Sequence, residues 1–199
     1  MLNNQQFISL IVKGDQNKFR LLMENTSDEL FGFALGFVRN REIAEELVSD
    51  VYVKIWKKRH DLKNIKNLKS YLFICVKNEC RSHFRKIKND KIIYFDEIKD
   101  YHFLPVDGPE KDLIDAETIE QIYAAIADLP PKCKLAFTLA KINGLKHKEI
   151  AEIMEVSPKT VNNHLVSALK KIIESIQLKK KILTKESPLK KASLFSFLF

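Results

Sequence analysis

Apolar residues recur with a helical period along most of the chain, and the breaks between runs mark out its elements. Phe7, Leu10 and Ile11 form a first stripe, which Phe19, Leu22 and Met23 continue after a break at Gly14-Asp15. Leu30, Phe31, Phe33, Ala34, Phe37 and Val38 then make a helix so apolar that it must be buried. It is expected to end at Arg39-Asn40, with Asn40 in the left-handed terminal conformation. Residues 41–58 form the longest amphipathic helix, with Ile43, Leu47, Val51 and Ile55 inward beside Ala44, Val48 and Tyr52. A loop over residues 60–69 follows. Ser70 is expected to cap a further helix to about Lys88, with Leu72, Val76 and Cys80 on one face and Phe73 and Phe84 beside them.

The period lapses over residues 89–109, where Pro105, Gly108 and Pro109 accompany Asp96, Glu97, Asp100 and Asp107, and this stretch reads as a linker. Helical patterning resumes over 110–129 with Leu113, Ile114, Ile119, Ile122, Ala125 and Ile126 inward. It stops at Leu129-Pro130-Pro131 and returns over 132–142 before Asn143-Gly144. From Lys148 to Leu169 the pattern is a short helix, a tight turn at Glu155-Val156-Ser157, and a second helix. Ser157 suits the N-cap and Pro158 the first helical position, where a missing N–H loses nothing. Val161, Leu165, Ala168, Leu169 and Ile172 face inward, leaving Lys159, Asn162, Asn163, Val166 and Lys170 outward. The expectation is an all-α protein of two small helical domains, residues 1–89 and 111–178. An acidic linker over 90–110 joins them, a helix-turn-helix lies in the second, and a basic and apolar tail occupies 179–199.

Composition agrees with helices, because 199 residues contain only 5 Gly and 6 Pro. The formal net charge of +8 favours a polyanionic partner, either nucleic acid or an acidic membrane surface. Two helices joined by a short turn, the second displaying Asn and Lys, is how a helix-turn-helix reads the major groove; an ordinary helical hairpin has the same spacing. Lys77, Arg81, Arg85 and Lys88 fall on one stripe at i, i+4, i+8 and i+11, with Tyr71, Asn78 and His83 nearby. Together with the basic loop before them they suit single-stranded nucleic acid, and a solvated basic face explains them equally well. On the helix of residues 41–58, Glu42, Glu45, Glu46 and Asp50 crowd the first half, and Lys54, Lys57 and Lys58 the second. That division complements the helix dipole, and it also makes a two-ended contact surface.

Catalytic chemistry has no foothold in the pattern. There is no Gly-rich phosphate loop, no nucleophile with a base signature and no metal-ligand cluster, and the five His are scattered singly. No catalytic residue, metal or cofactor is therefore expected. Asp96, Glu97 and Asp100 could serve a metal-dependent nucleic-acid-modifying enzyme, but no periodic element there would fix them. Cys75, Cys80 and Cys133 are an odd set without metal spacing, which points to reduced thiols. The start, Met1-Leu-Asn-Asn-Gln-Gln, is too polar for a signal peptide, and no apolar run approaches the ~20 residues of a membrane span, so a cytoplasmic chain is expected.

Several of these stretches, in this order, resemble the extracytoplasmic-function (ECF) sigma factors, the small two-domain initiation subunits of bacterial RNA polymerase. Ile43-Ala-Glu-Glu-Leu-Val-Ser-Asp-Val-Tyr-Val-Lys-Ile-Trp56 resembles the family's region 2.2. Ser70-Tyr-Leu-Phe-Ile-Cys-Val-Lys-Asn78, followed by Arg81 and Arg85-Lys86, resembles regions 2.3 and 2.4. Leu129-Pro130-Pro131-Lys132, Gly144-Leu145, Glu149-Ile-Ala151, Ser157 and Thr160-Val161 resemble region 4.

The resemblance implies roles for residues. Glu46, Asp50, Lys54 and Trp56 would dock on the clamp helices of core RNA polymerase. Asn64, Lys66 and Asn67 of the loop, with Lys77, Asn78, Arg81 and Arg85 of the following helix, would recognise and open the minus-ten element of promoter DNA. Lys159, Thr160, Asn162, Asn163, Val166 and Lys170 would read the minus-thirty-five element. The linker would thread toward the polymerase channels, and an anti-sigma factor is an implied further partner. The alternative is a stand-alone helix-turn-helix regulator, which leaves the Asp50-to-Trp56 and Ser70-to-Lys86 patterns without a use. Two positions depart from the family. Lys146 stands where Ser or Thr usually caps the first helix of the pair, and Glu155 stands where the turn commonly has Gly. A left-handed Glu155 would carry strain of about 1 kcal/mol.

Overall fold

The computed structural model describes residues 5–87 and 116–183, with side chains over 5–87 and 121–177. Among the described residues every regular element is helical, and they fall into two compact units. The expected linker over 90–110, with Asp96, Glu97 and Asp100, lies outside the described residues. So do Lys88 and the tail beyond Leu183.

The first unit comprises α1 (Gln5–Val12), α2 (Gln16–Val38), α3 (Arg41–Lys57), a 3-10 turn (Arg59–Asn64) and α4 (Leu68–Ile87). Gly14, at φ 93°, makes the break before α2. Asp15 then caps α2, its carboxylate accepting from the Lys18 N–H at 3.0 Å. The apolar runs around Phe19 and Phe33 belong to one 23-residue helix rather than two. The polar stretch between them is absorbed because Thr26 turns inward, donating to the Leu22 carbonyl and bonding the Tyr52 hydroxyl. α2, α3 and α4 close around Phe33, whose ring meets Phe37 and Phe73 nearly at right angles with centroids 5.0 Å away. Leu22, Leu30, Val51, Leu68, Leu72 and Val76 complete that core.

Two caps differ from expectation. The left-handed residue ending α2 is Arg39, at φ 54°, with its N–H on the Leu35 carbonyl. Asn40 is extended instead and caps α3 through its side-chain oxygen, which accepts from the Ile43 N–H at 3.0 Å. The connection is only Arg39 and Asn40, so each residue takes one task, and Asn is the better N-cap. Likewise Ser70 lies buried inside α4, and Asn67 supplies the cap by accepting from the Ser70 N–H at 3.0 Å. The loop over 60–69 is shorter than its sequence suggests, because buried Leu62 anchors the 3-10 turn against α1.

The second unit comprises α5 (Ala116–Ala127), α6 (Pro131–Phe137), a π-helical segment (Thr138–Ile142), α7 (His147–Met154) and α8 (Pro158–Leu183). Where one regular helix is expected over 132–142, the ladder slips to wider spacing after Phe137, and the Asn143 N–H reaches the Thr138 carbonyl at 3.0 Å. Gly144, at φ 65°, ends it. α8 packs on α5 and α6 over Ile126, Phe137, Leu139, Val161, Ala168 and Ile172, all buried. Leu169 is only half-buried, and α8 runs past the expected domain end at 178.

Candidate nucleic-acid and docking surfaces

In the second unit, α7, the turn and α8 form the helix-turn-helix, and each junction is held by an identifiable bond. No side chain at Lys146 caps α7, yet the Lys146 N–H donates to Glu149 Oε2 at 2.8 Å. This is the reciprocal half of a capping box, in which the third helical residue reaches back to the cap N–H. The missing cap is thus partly replaced. In the turn, Glu155 takes φ 57°, so the glycine-like conformation is imposed on a residue with a Cβ. The Val156 N–H closes the turn on the Ala151 carbonyl at 3.0 Å. Ser157 caps α8 as its sequence predicts, its Oγ accepting from the Thr160 N–H at 3.0 Å.

That cap changes the standing of Thr160. Its hydroxyl lies 2.8 Å from Ser157 Oγ and the residue is half-buried. Thr160 belongs to the start of the helix rather than to its outer face. Lys159, Asn162, Asn163, Val166 and Lys170 are all exposed, at i, i+3, i+4, i+7 and i+11, a single face of α8. Val166 is 57% exposed, an apolar group in a polar row. Such a row offers amide donors and acceptors for base edges, a methyl-sized apolar contact, and cations for phosphate at either end. His164 is turned away from this face, with Nδ1 3.8 Å from Cys133 Sγ on α6. Burial, and then the nearby Lys132 charge, hold its pKa below the usual histidine range.

In the first unit the expected contact residues divide. On α3, Glu46 and Asp50 are exposed. Lys54 is exposed too, and it reaches across to α4 with Nζ 2.5 Å from Glu79 Oε2. Trp56 is half-buried between the Phe19 ring, at 4.9 Å, and the Arg59 guanidinium, at 4.8 Å over its face. Before α4, Asn64 and Lys66 are exposed, while the Asn67 side-chain oxygen is engaged in the cap. Along α4, Asn78 and Arg85 are exposed, Arg81 is half-buried and Lys77 is buried. The basic stripe of the sequence is therefore graded, most open toward Arg85. Lys69 ties α4 to α2 by bonding Glu29 at 2.9 Å. Tyr71 is half-buried, its phenol pushed up to about 12 by burial and then by Cys75.

Periodicity did not single out Glu79 or Val53, and it placed Met23 wrongly. Glu79 holds Lys54, and a contact between helices has no signature in either helix alone. Met23, expected on the apolar stripe with Phe19 and Leu22, is 37% exposed, and Val53 is 47% exposed. For Val53 the signal was available, since it sits off the inward stripe of its own helix. Among the described residues no group of three or more His, Cys, Asp or Glu is placed to hold a metal ion, and no helix is long and apolar enough to cross a membrane.

Comparison with known proteins bears on both units. Residues 22–89 match the family described as Sigma-70 region 2, and residues 119–172 match Sigma-70, region 4. The chain is 24% identical over 184 residues to the ECF RNA polymerase sigma-E factor of Haemophilus influenzae, covering 88% of this chain and 96% of that one. It is 20% identical over 183 residues to the RNA polymerase sigma-H factor of Pseudomonas aeruginosa, covering 87% and 94%. Its fold is similar to that of CnrH in complex with the cytosolic domain of CnrY, with TM-score 0.57, 17% identity, and coverage of 93% of this chain and 99% of that one. The sigma factor RpoE in complex with the anti-sigma factor NepR, from Bartonella quintana, has TM-score 0.56, 21% identity, and coverage of 80% and 96%.

Proposed function

This chain belongs to the ECF sigma factors, and from that membership we propose how its surfaces divide the work of transcription initiation. It binds core RNA polymerase and directs promoter-specific initiation, and its further partner is an anti-sigma factor. The exposed row Lys159, Asn162, Asn163, Val166 and Lys170 reads the upstream, minus-thirty-five element from the major groove. The single observation that carries this assignment is the run of five outward residues on one face of α8, with Ser157 fixing where that face begins.

The first unit performs docking and opening. Glu46 and Asp50 on α3 face the polymerase, with Trp56 at the end of the same helix. Asn64 and Lys66, with Asn78, Arg81 and Arg85 of α4, hold the opened minus-ten element. Extruding a base costs a few kcal/mol of stacking and pairing, which stacking and hydrogen bonds in the protein offset, so binding itself drives melting. No step of this asks the chain to make or break a covalent bond, and we assign it no catalysis. It works in the cytoplasm, where the polymerase is.

The test is to mix the purified chain with bacterial core polymerase and a promoter library and to score transcription starts. Specific starts that depend on the chain are expected. Duplex DNA binding with no initiation would instead describe a stand-alone regulator, although the match over residues 22–89 gives such a regulator no use for the first unit.

A further inference from the structure

Arg59 opens the 3-10 turn that follows α3, and it is half-buried. Each part of its guanidinium meets a different neighbour. Nη1 donates to the Trp56 carbonyl at 3.1 Å. That carbonyl belongs to the last turn of α3, where helix oxygens lack a regular N–H partner and a cation meets the negative end of the dipole. The centre of the guanidinium lies 4.8 Å over the Trp56 ring. Its remaining edge lies under the turn between α1 and α2, where a Cβ at Gly14 would stand 3.7 Å from Nε and 3.9 Å from Nη2. Gly14 has no side chain and takes φ 93°, so the turn closes there without crowding the guanidinium.

Nε is buried and has no hydrogen-bond partner. A buried N–H left unpaired costs stability, and one carbonyl needs only one of the five donors that a guanidinium carries. Lysine would supply the donor and the charge without burying an unpaired N–H. What lysine lacks is the flat face. Trp56 is the residue that this face meets. The other neighbour of the indole is Phe19, at 4.9 Å with the planes inclined by 47°. With Phe19 and Tyr52 the indole makes an aromatic floor between Met23 and Val53. Phe19 bounds the indole on one side and the guanidinium bounds it on the other, which holds the Trp56 side chain in one rotamer.

We infer that Arg59 is a positioning residue for polymerase docking. Seated between the end of α3 and the α1–α2 turn, it holds the Trp56 ring in the orientation that docks. A ring already ordered in the free chain loses less freedom at the moment of binding. This role rests on the docking reading of Trp56 above. It requires a flat cation rather than a cation alone, and it lets Arg59 act on docking without touching the polymerase.

Trp56 is the only tryptophan of the chain, so emission and acrylamide quenching of the full chain report on its ring directly. Arg59→Lys keeps the charge and a donor for the Trp56 carbonyl and removes the flat face. A melting temperature close to that of the parent is expected, with shifted emission and more effective quenching. Binding to core polymerase should weaken by about tenfold, the scale of a desolvated cation–π pair. In a Trp56→Leu chain, which keeps an apolar group at that place, Arg59→Lys should add nothing further, because the two residues act as one unit. Unchanged emission with unchanged polymerase binding overturns the role and leaves Arg59 as a cap of α3. A loss of binding equal in size with and without Trp56 overturns it too, by placing Arg59 itself against a partner. So does a loss, in both Arg59→Lys and Arg59→Ala, that follows the fall in melting temperature, which makes the residue structural. Should Trp56→Leu bind the polymerase as well as the parent does, the docking reading of Trp56 falls and this role falls with it. Shifted emission in Arg59→Lys would then still show the ring to be held by the guanidinium.

Discussion

The hydroxyl of Tyr52 lies 2.7 Å from that of Thr26, and Thr26 in turn donates to the Leu22 carbonyl at 2.8 Å. Thr26 has one proton, already committed, so Tyr52 is the donor and Thr26 the acceptor between α3 and α2. The direction predicts an asymmetry. Tyr52→Phe removes one bond and leaves Thr26 satisfied by Leu22, costing about 1 kcal/mol. Thr26→Val strands a buried phenol and should cost more, about 1–3 kcal/mol. Urea midpoints of the two variants measure this, and a larger loss for Tyr52→Phe would reverse the assignment.

Besides Tyr71, burial raises three further groups of the first unit. The Tyr52 phenol and the Cys80 thiol are each pushed up to about 12, and burial raises the Cys75 thiol. A raised native pKa means that the folded chain keeps protons which the unfolded chain has lost, so stability falls as pH rises. Their contribution is complete below the unfolded values, near 9 for thiols and 10 for the phenol, and is lost as pH rises toward about 12. Thermal melting across that window should show the loss, and Tyr52→Phe should flatten the part above pH 10. The native Cys80 should also resist alkylation at pH 8, since only the thiolate reacts. Rapid labelling at Cys80 would contradict its burial.

The left-handed Glu155 predicts that Glu155→Gly stabilises a fragment carrying residues 107–199. Relief of about 1 kcal/mol is partly offset by the unfolded-state freedom of Gly, roughly 0.4–1 kcal/mol. The melting temperature should rise by up to a few degrees. A lower value would show that the turn carries no strain.

On α8 the cap and the reading face should separate. Ser157→Ala should cost about 1 kcal/mol of stability, with the preference among upstream sequences unchanged. Asn162→Ala and Asn163→Ala should leave melting alone and weaken binding to the preferred element by about 1–3 kcal/mol each if they contact base edges. Footprinting of holoenzyme on matched and mismatched elements checks both. A specificity change from Ser157→Ala, or none from either Asn, would exchange the roles.

Among the described residues of its stripe, Arg85 is the most open cation. Arg85→Ala should impair promoter opening seen as permanganate reactivity, with binding of the upstream element retained. Normal reactivity would remove Arg85 from the opening surface.

Much of this chain was legible in one dimension because the information is local. Helical spacing located α3, α4, α7 and α8, and Ser157-Pro158 marked the start of α8, since a cap and its first turn are neighbours in sequence. Gly14 and Gly144 marked breaks for the same reason. Where two residues compete for one task, sequence alone chose wrongly: Arg39 rather than Asn40 is left-handed, and Asn67 rather than Ser70 caps α4. Local preference favours either member of each pair, and the packing of the flanking helices decides.

What the sequence by itself determined is the helical class, the order of the elements and the outward face of α8, all consequences of periodicity within single helices. Tertiary structure alone decided which charges are paired between helices. Lys54 and Asp50 are both exposed on α3, and Lys54 is tied to α4 through Glu79. It also decided that Met23 and Val53, from two helices, would face one another across an aromatic floor. Such pairings depend on how helices cross, and the rotation of one helix about its neighbour is set by side chains distant in sequence.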